Sequence, residues 1–483
     1  MKNKMVVRRI FQFLCITLAT TTLSGTAWSE TQRLPNIVFI LIDDLGWNEL
    51  GCYENPFYAT PHIDALARQG MRFTNAYAAA PICSPTRASL MTGKYPARLH
   101  LTDYIPGNPY PYNKLQTPRM TMGLPLAEVT LAELLQRAGY VSGHFGKWHL
   151  NKDKNYAPGR PGDPGSQGFA DVLTTKKPEF SEDAKAGADP QYDAHHVREI
   201  TDRSLAFIEA NQSRPFFCYI SHNTVHRPVM EYAPRVIRYA IKPEMCNKMG
   251  NNPVIGAMLE TLDRSVQRVL DKLDQLRLTE NTIVIFYSDN GGYFGRPGRK
   301  PLYGAKADVY EGGVRVPLIV RWPGVAQPGA VSEELVSSID FFPTFAEIAR
   351  LKIDDPTVDG ISLLPVLRQT GKLARDTLYW HYPHYHHHGI APAGSVREGH
   401  YKLIEWYEES ILQGPDADGA LQLFDLEADI GERRNLVREM PERTKRMYEK
   451  LIAWRKSVQA QEMVPNPNYD PQREGWKRLH SPL

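Results

Sequence analysis

Cysteine is scarce in this chain: five residues in 483, at Cys15, Cys52, Cys83, Cys218 and Cys246. That excludes a disulfide-stapled scaffold. An excess of charge of one sign is also missing. The 57 lysines and arginines nearly balance the 54 acids, and four of the basic residues, Lys2, Lys4, Arg8 and Arg9, sit in the first nine positions. The rest of the chain is close to neutral, so no basic footprint for nucleic acid and no charged interaction tail remain. Repeats and low-complexity tracts are absent. Long apolar runs are lacking too. Ile10 to Gly25 is mostly apolar, but it is short and diluted by threonine, so it would span a bilayer poorly. With a basic start before it and Ala27-Trp28-Ser29 after it, it reads as a signal peptide over residues 1–29. The expected protein is therefore exported, periplasmic or secreted, with no membrane span after cleavage. Cys15 leaves with that segment, and Cys52, Cys218 and Cys246 can form at most one disulfide.

What the chain has is a series of short apolar runs separated by helical patterns. Asn36 to Ile42 is continuously apolar after its first residue, as are Phe216 to Ile220, Thr282 to Tyr287 and Val316 to Val320. Runs without alternation fit strands buried on both faces. Between them, Leu126 to Ala138 and Val254 to Leu276 carry apolar residues at helical spacing, the first stopped by Gly139. Strands alternating with helices predict an α/β fold with a large, mixed, mostly parallel sheet sandwiched by helices. Near residue 375 the texture changes. Thr377 to Trp380, Ser395 to Trp406 and Leu421 to Asp425 read as short strands, and Pro441 to Gln459 as a closing helix. The expected division is a catalytic domain over residues 30–375 and a smaller α+β subdomain with an antiparallel sheet over residues 376–483. Gly159 to Gly168 and Lys176 to Pro190 read as surface loops, and the tail from Pro465 as irregular.

The strand ends carry the chemistry. The Asn36 run ends in Asp43-Asp44, and the Thr282 run ends in Asp289-Asn290-Gly291-Gly292. Ligands of an open parallel sheet gather outside the carboxyl ends of its strands. Three carboxylates and an amide brought to one edge would repel without a cation. Their oxygen donors suit Ca²⁺, with Mg²⁺ less favoured and Zn²⁺ less again. Cys83 opens Cys83-Ser84-Pro85-Thr86-Arg87, where Ser84 is a natural N-cap and Pro85 fits the first helical turn. Residue 83 is thereby expected beside the positive end of a helix. Lys147 and His149 follow the run ending at Phe145. His222 and His226 follow the Phe216 run, and Lys306 lies in Tyr303-Gly304-Ala305-Lys306. Cationic donors such as these suit an anionic tetrahedral ester, and a histidine can serve as general acid for its leaving alcohol.

In order along the chain stand Asp43-Asp44, Cys83-Ser84-Pro85-Thr86-Arg87, Gly146-Lys147-Trp148-His149, Val225-His226-Arg227-Pro228, Asp289-Asn290-Gly291-Gly292 and Gly304-Ala305-Lys306. This order resembles the formylglycine-dependent sulfatases of the alkaline phosphatase superfamily, from about Pro35 to the end, since Leu421 to Leu436 also resembles the family's C-terminal part. The resemblance implies an alkaline-phosphatase-like fold. It implies that a maturation enzyme converts Cys83 to formylglycine, whose hydrate attacks the sulfate ester and whose second hydroxyl later expels sulfate. It implies that Asp43, Asp44, Asp289 and Asn290 bind Ca²⁺, with the modified Cys83 completing the shell. Arg87 would stabilise the aldehyde hydrate, and Lys147 and Lys306 would hold sulfate oxygens. His149 would assist breakdown of the sulfated intermediate, and His226, which fits the family pattern better than His222, would protonate the leaving group with Lys306. Thr86 departs from the serine of many members but keeps the hydroxyl.

The expected substrate is a sulfated carbohydrate, or an aryl sulfate. The loop His381-Tyr382-Pro383-His384-Tyr385-His386-His387-His388 reads either as a wall of the substrate pocket or as a metal-binding histidine tract. His100 and Asp103 are candidates for the same wall, and a galactose- or N-acetylgalactosamine-type sugar is the expectation for the ring. Three alternatives stand beside this reading: a phosphate or phosphonate monoester hydrolase on the same site, a catalytically silent carbohydrate-binding relative, and a metal-dependent transferase of the same superfamily, whose usual threonine or serine nucleophile and membrane spans this chain does not show.

Overall fold

The computed structural model of the protein describes residues 33–152, 156–179, 185, 187, 189, 192–243, 251–293 and 301–476. The expected signal peptide lies outside them. Among the described residues no helix is long and apolar enough to cross a membrane. Leu34–Leu483 form one compact unit.

The apolar runs supply five strands of one eight-stranded sheet, which is made of β1 (Asn36–Ile42), β2 (Met71–Phe73), β3 (Val141–Gly146), β4 (Asp171–Thr174), β5 (Phe216–Ser221), β6 (Thr282–Ser288), β7 (Leu318–Arg321) and β8 (Val331–Ser332); β2, β4 and β8 were not anticipated. The spatial order is β8-β2-β7-β6-β1-β5-β3-β4. β1 lies at the centre, parallel to β5 and β6, and all seven of its residues are buried. β3 continues the parallel set beyond β5, whereas β7 runs antiparallel to β6 and β2. β7 begins two residues later than the Val316 to Val320 run suggests. Pro317 has no N–H to donate to a ladder, and the Val316 amide instead bonds to Ala76 O at 2.9 Å.

Alternate β1 residues face two helical layers. Val38, Ile40 and Ile42 join a core with α1 (Pro61–Gln69), α4 (Val197–Ala210) and α5 (Pro253–Gln275). Phe39 points the other way, edge-on to Phe341 at 4.9 Å, toward α2 (Cys83–Thr92), α3 (Leu131–Gln136) and α6 (Phe341–Ile348). α3 is shorter than its apolar pattern. Thr130 accepts from the Glu133 amide while the Glu133 side chain accepts from the Thr130 amide, and this capping box starts the helix at Leu131. Leu126, included in the expected helix, is 61% exposed.

A second, four-stranded antiparallel sheet holds β9 (Thr377–Tyr382), β10 (Ala393–Glu398), β11 (Tyr401–Trp406) and β12 (Leu421–Asp425) in that order. α7 (Pro441–Ser457) covers it through Met447, Leu451 and Trp454, which share a core with Val396 and Leu403. Beyond it, Val464–Pro465 pairs with Leu115–Gln116, so the tail begins as a short ordered strand. Cys52, Cys83 and Cys218 are free thiols; Cys246 lies outside the described residues.

Candidate active site

The carboxyl ends of β1, β3, β5 and β6 converge, and each delivers part of one buried polar centre. β1 releases Asp43 and Asp44. Asp44 adopts a left-handed backbone (φ 63°), a conformation that aspartate tolerates better than most residues. β6 releases Asp289 and Asn290. The next residue must be small: a Cβ on Gly291 would stand 1.9 Å from Gly312 O. Asp289 Oδ1 accepts from the Asp44 amide at 3.2 Å, and the Asn290 amide group donates to Asp44 Oδ1 at 2.8 Å, which ties the two strand ends together.

Helix α2 brings Cys83 into this centre. It starts at Cys83 itself, so Ser84 does not cap it; Ser84 Oγ accepts from the Ile105 amide at 3.1 Å instead. The whole helix is buried, and its hydroxyls find partners: Thr86 Oγ1 donates to Ala80 O at 2.9 Å and Ser89 Oγ meets Ser338 Oγ at 2.6 Å. Arg87, one turn on, is 1% exposed. Its Nε donates to Asp289 Oδ2 at 2.9 Å, and its Nη1 donates to Ser221 Oγ at 2.6 Å and to Lys147 O at 3.0 Å. A guanidinium bound on three sides fixes the relative positions of α2, β3, β5 and β6.

Lys147 Nζ donates to Asp43 Oδ2 at 2.7 Å. Lys306 Nζ donates to Asp44 Oδ1 at 2.7 Å and lies 3.5 Å from Cys83 Sγ. His226 Nδ1 is 2.6 Å from Arg227 O, and its Nε2 is 3.8 Å from Asp44 Oδ2. His149 Nε2 is 2.8 Å from Ile105 O. Burial pushes Asp43 up, but Lys147, His226, Arg87 and Lys306 outweigh it and hold the carboxyl below the usual range. Burial and the charge of Asp43 lift Asp289 to about 6 against Arg87. Burial opposes the Lys306 charge, yet Asp44 and Cys83 hold the ammonium on. Burial pushes the Cys83 thiol up despite Lys147 and Lys306, and pushes His226 down to about 3.

The three acids meet three cations, yet oxygens remain unmatched. Asp43 Oδ1, Asp44 Oδ2 and Asn290 Oδ1 are buried without a hydrogen-bond partner. Each such atom costs about 1–3 kcal/mol when left unpaired. Ligand atoms of Asp43, Asp44, Cys83 and His226 lie within 4.8 Å of one another. Oxygen acceptors without donors, gathered among carboxylates, fit a hard divalent cation.

Above the centre opens a cleft of about 430 Å³, with Asp43, Cys83, Lys147, His149, His226 and Lys306 on its floor and sides. The structure thus brings every expected catalytic residue except Arg87 to the cleft, and Arg87 lies directly behind it. His222 is elsewhere: buried, with Nε2 3.1 Å from Ser265 Oγ of α5. The histidine-rich loop divides. His381 bonds Tyr407 and Gln461 O, and His384 bonds Thr102, so both are structural. His386, His387 and His388 line the cleft. His100 and Asp103 do not line it. His100 Nε2 lies 2.9 Å from Gln459 O, and Asp103 accepts from Tyr382 OH at 2.9 Å below the wall. Sequence reasoning missed Tyr104, Arg227, Tyr293, Lys176 and Lys177 in the lining. Arg227 adjoins His226 and could have been included; the lysines stood in what read as a surface loop.

Comparison with known proteins agrees with this geometry. The sulfatase family model matches residues 35–351, and a model of the C-terminal part of N-sulphoglucosamine sulphohydrolase matches residues 302–458. Human arylsulfatase A is 33% identical over 452 residues, 84% of each chain. Human N-acetylgalactosamine-6-sulfatase is 32% identical over 387 residues, 74% of this chain and 70% of that one. The crystal structure of Ps i-CgsB in complex with k-i-k-neocarrahexaose superposes with a TM-score of 0.71 at 24% identity, covering 92% of this chain and 95% of the other. The chain belongs to the sulfatase family of the alkaline phosphatase superfamily, with that superfamily's fold, and is a sulfate-ester hydrolase.

Proposed function

We propose that the protein releases inorganic sulfate from a sulfated carbohydrate outside the cytoplasm, after its signal peptide is removed and a maturation enzyme has converted Cys83 to formylglycine. The observation that carries this reading is the position of Cys83. It sits at the first turn of a buried helix, at the floor of the cleft, 3.5 Å from Lys306 and among the acidic strand ends. A thiol kept protonated by burial is a weak nucleophile, which argues against its use as a cysteine. Formylglycine supplies a geminal diol that attacks sulfur and then expels sulfate without water reaching the sulfur atom.

Asp43, Asp44, Asp289 and Asn290 would hold Ca²⁺, with residue 83 in its shell. The ion supplies Lewis-acid stabilisation of the sulfate oxygens. The protein's own groups account for the rest. Lys147 and Lys306 face the cleft as fixed cations for an anionic ester. Arg87, held by Asp289 and Ser221, would stabilise the aldehyde hydrate of residue 83. His149, whose Nε2 is held on Ile105 O, would assist release of sulfate by taking a proton from the residue-83 hydroxyl. The leaving alcohol needs a proton. His226, with Nε2 3.8 Å from Asp44 Oδ2, would supply it together with Lys306, which bonds the same carboxylate.

In this reading residues 30–375 are the catalytic domain, and the subdomain over residues 376–483 supplies the His386–His388 wall. A carbohydrate substrate is supported by the sugar named for one curated relative and the oligosaccharide bound to one structural neighbour. The test is a panel of sulfated mono- and oligosaccharides, with matched phosphate esters, assayed on protein co-expressed with a maturation enzyme. Sulfate release from sugars is expected. Faster phosphate release would select the phosphomonoesterase alternative, and inertness toward every ester would select the silent binding protein.

A further inference from the structure

The wall of the cleft holds a second cluster of donors, which the proposed reaction does not use. Three consecutive residues of an extended chain point to alternate sides. Here they do not, because His386 to Ile390 is a closed turn. The His386 amide bonds Ile390 O at 3.1 Å, and the Gly389 amide bonds His386 O at 2.9 Å. Gly389 has φ 74°, which a residue with a side chain adopts at a cost. The turn folds the three imidazoles of His386, His387 and His388 together, with ring centroids 4.1, 4.4 and 4.2 Å apart. One ring nitrogen from each lies within 4.8 Å of the others. The cluster is anchored from outside. Trp476 Nε1 donates to His386 O at 2.9 Å, Tyr104 meets the His386 ring edge-on, and the Tyr293 ring stands edge-on to His388 at 5.0 Å.

We propose that His386, His387 and His388 bind one imidazole-seeking transition-metal ion, Zn²⁺ or Cu²⁺, on the wall of the substrate cleft. The site is separate from the oxygen-donor centre beneath it. A set of three nitrogens and no carboxylate favours Zn²⁺, Cu²⁺ or Ni²⁺ over Ca²⁺ and Mg²⁺. Three protein ligands leave a coordination position open, as at catalytic zinc sites. Because all three residues line the cleft, that position faces the space through which the substrate enters. An ion there narrows the entrance to Cys83 and adds a charge to it, so occupancy slows turnover without touching Asp43 or Asp44.

The experiment uses untagged full-length protein in saturating Ca²⁺. Zn²⁺ binding is followed by calorimetry, and Co²⁺ serves as a visible-absorption reporter of a nitrogen-rich site. One Zn²⁺ per chain is expected. His387→Ala, at an exposed position, and His388→Ala should each weaken binding by about tenfold or more, and should remove the Co²⁺ bands while keeping the wild-type melting temperature. Added Zn²⁺ should slow sulfate release by the wild type and leave the His387→Ala rate unaltered. The proposal is overturned if Zn²⁺ does not bind, if it binds the histidine variants as tightly as the wild type, or if Asp44→Asn rather than His387→Ala abolishes the binding. Binding is read without turnover, so it stands or falls apart from the sulfatase mechanism.

Discussion

Among the described residues, two largely buried clusters of charge can be set side by side, and they differ in one respect. At the strand ends, Asp43, Asp44 and Asp289 meet Arg87, Lys147 and Lys306. Under the second sheet, Glu311 and Glu432 meet Lys402, with Arg315 and Arg397 alongside. Lys402 Nζ lies 2.9 Å from Glu311 Oε1 and 3.2 Å from Glu432 Oε1. Tyr77 OH donates to Glu311 Oε2 at 2.6 Å, and the Glu311 amide donates to Glu432 Oε2 at 2.6 Å. This second cluster is closed to solvent: Glu432 Oε1 lacks a hydrogen-bond partner but has the Lys402 ammonium 3.2 Å away, the other carboxylate oxygens have protein donors, and none of its residues lines the cleft. The first cluster is open. It keeps oxygens of Asp43, Asp44 and Asn290 without donors and borders a cavity. Burial of charge alone therefore does not mark a site; unmatched acceptors beside space do. The closed cluster ties two strands of the second sheet to the segment over residues 311–315, and the open one is built for a cation and an anionic ester.

If that contrast is right, substitutions should separate activity from stability. The largest effect belongs to Cys83→Ala, which should lower sulfate release by more than about a thousandfold, as loss of a nucleophile does. Its melting temperature should stay close to that of the wild type. Asp44→Asn should lower Ca²⁺ content by metal analysis and cut turnover by about a hundredfold or more, again with the fold retained. Lys402→Ala should do the reverse. Removing one partner of a buried pair costs about 3–5 kcal/mol, visible in denaturant unfolding, while the folded fraction keeps the wild-type KM. Equal loss of stability in Asp44→Asn and Lys402→Ala would erase the distinction.

A smaller effect concerns the leaving group. His226→Ala should slow alkyl (sugar) sulfates more than aryl sulfates, because an aryl oxygen leaves without a proton. An equal loss on both would place His226 in binding rather than proton transfer. The smallest effect is on pH dependence. Burial lifts Glu432 to about 8 although Lys402 pulls it down. Between its unfolded value and about 8 the native state holds the extra proton, so this carboxyl makes stability fall as pH rises through that window. Glu432→Gln should flatten the fall in melting temperature between pH 6.5 and 8; an unchanged slope would mean that other groups set it.

Much of the open cluster was legible in the sequence because strand ends are local features. Asp43-Asp44 and Asp289-Asn290 each follow a buried apolar run directly, and the topology of parallel strands brings such ends to one edge. The closed cluster was not legible. Glu311, Lys402 and Glu432 are far apart in sequence and follow no shared pattern, so only the packing of the second sheet unites them. The helix start was read two residues late because Ser84, a good cap by type, spends its oxygen on Ile105. The His381–His388 loop was read as a unit. The fold splits it because β9 runs through Tyr382 and buries its first histidines, leaving only the turn after Tyr385 at the cleft.

Whether residue 83 acts as an aldehyde hydrate is read directly by mass spectrometry of the tryptic peptide containing residue 83, from active protein co-expressed with a maturation enzyme. The expected peptide has lost the mass of H₂S and gained one oxygen, with sulfate release rising in proportion to the modified fraction. An unmodified Cys83 thiol in protein that hydrolyses sulfate esters at full rate would contradict that role.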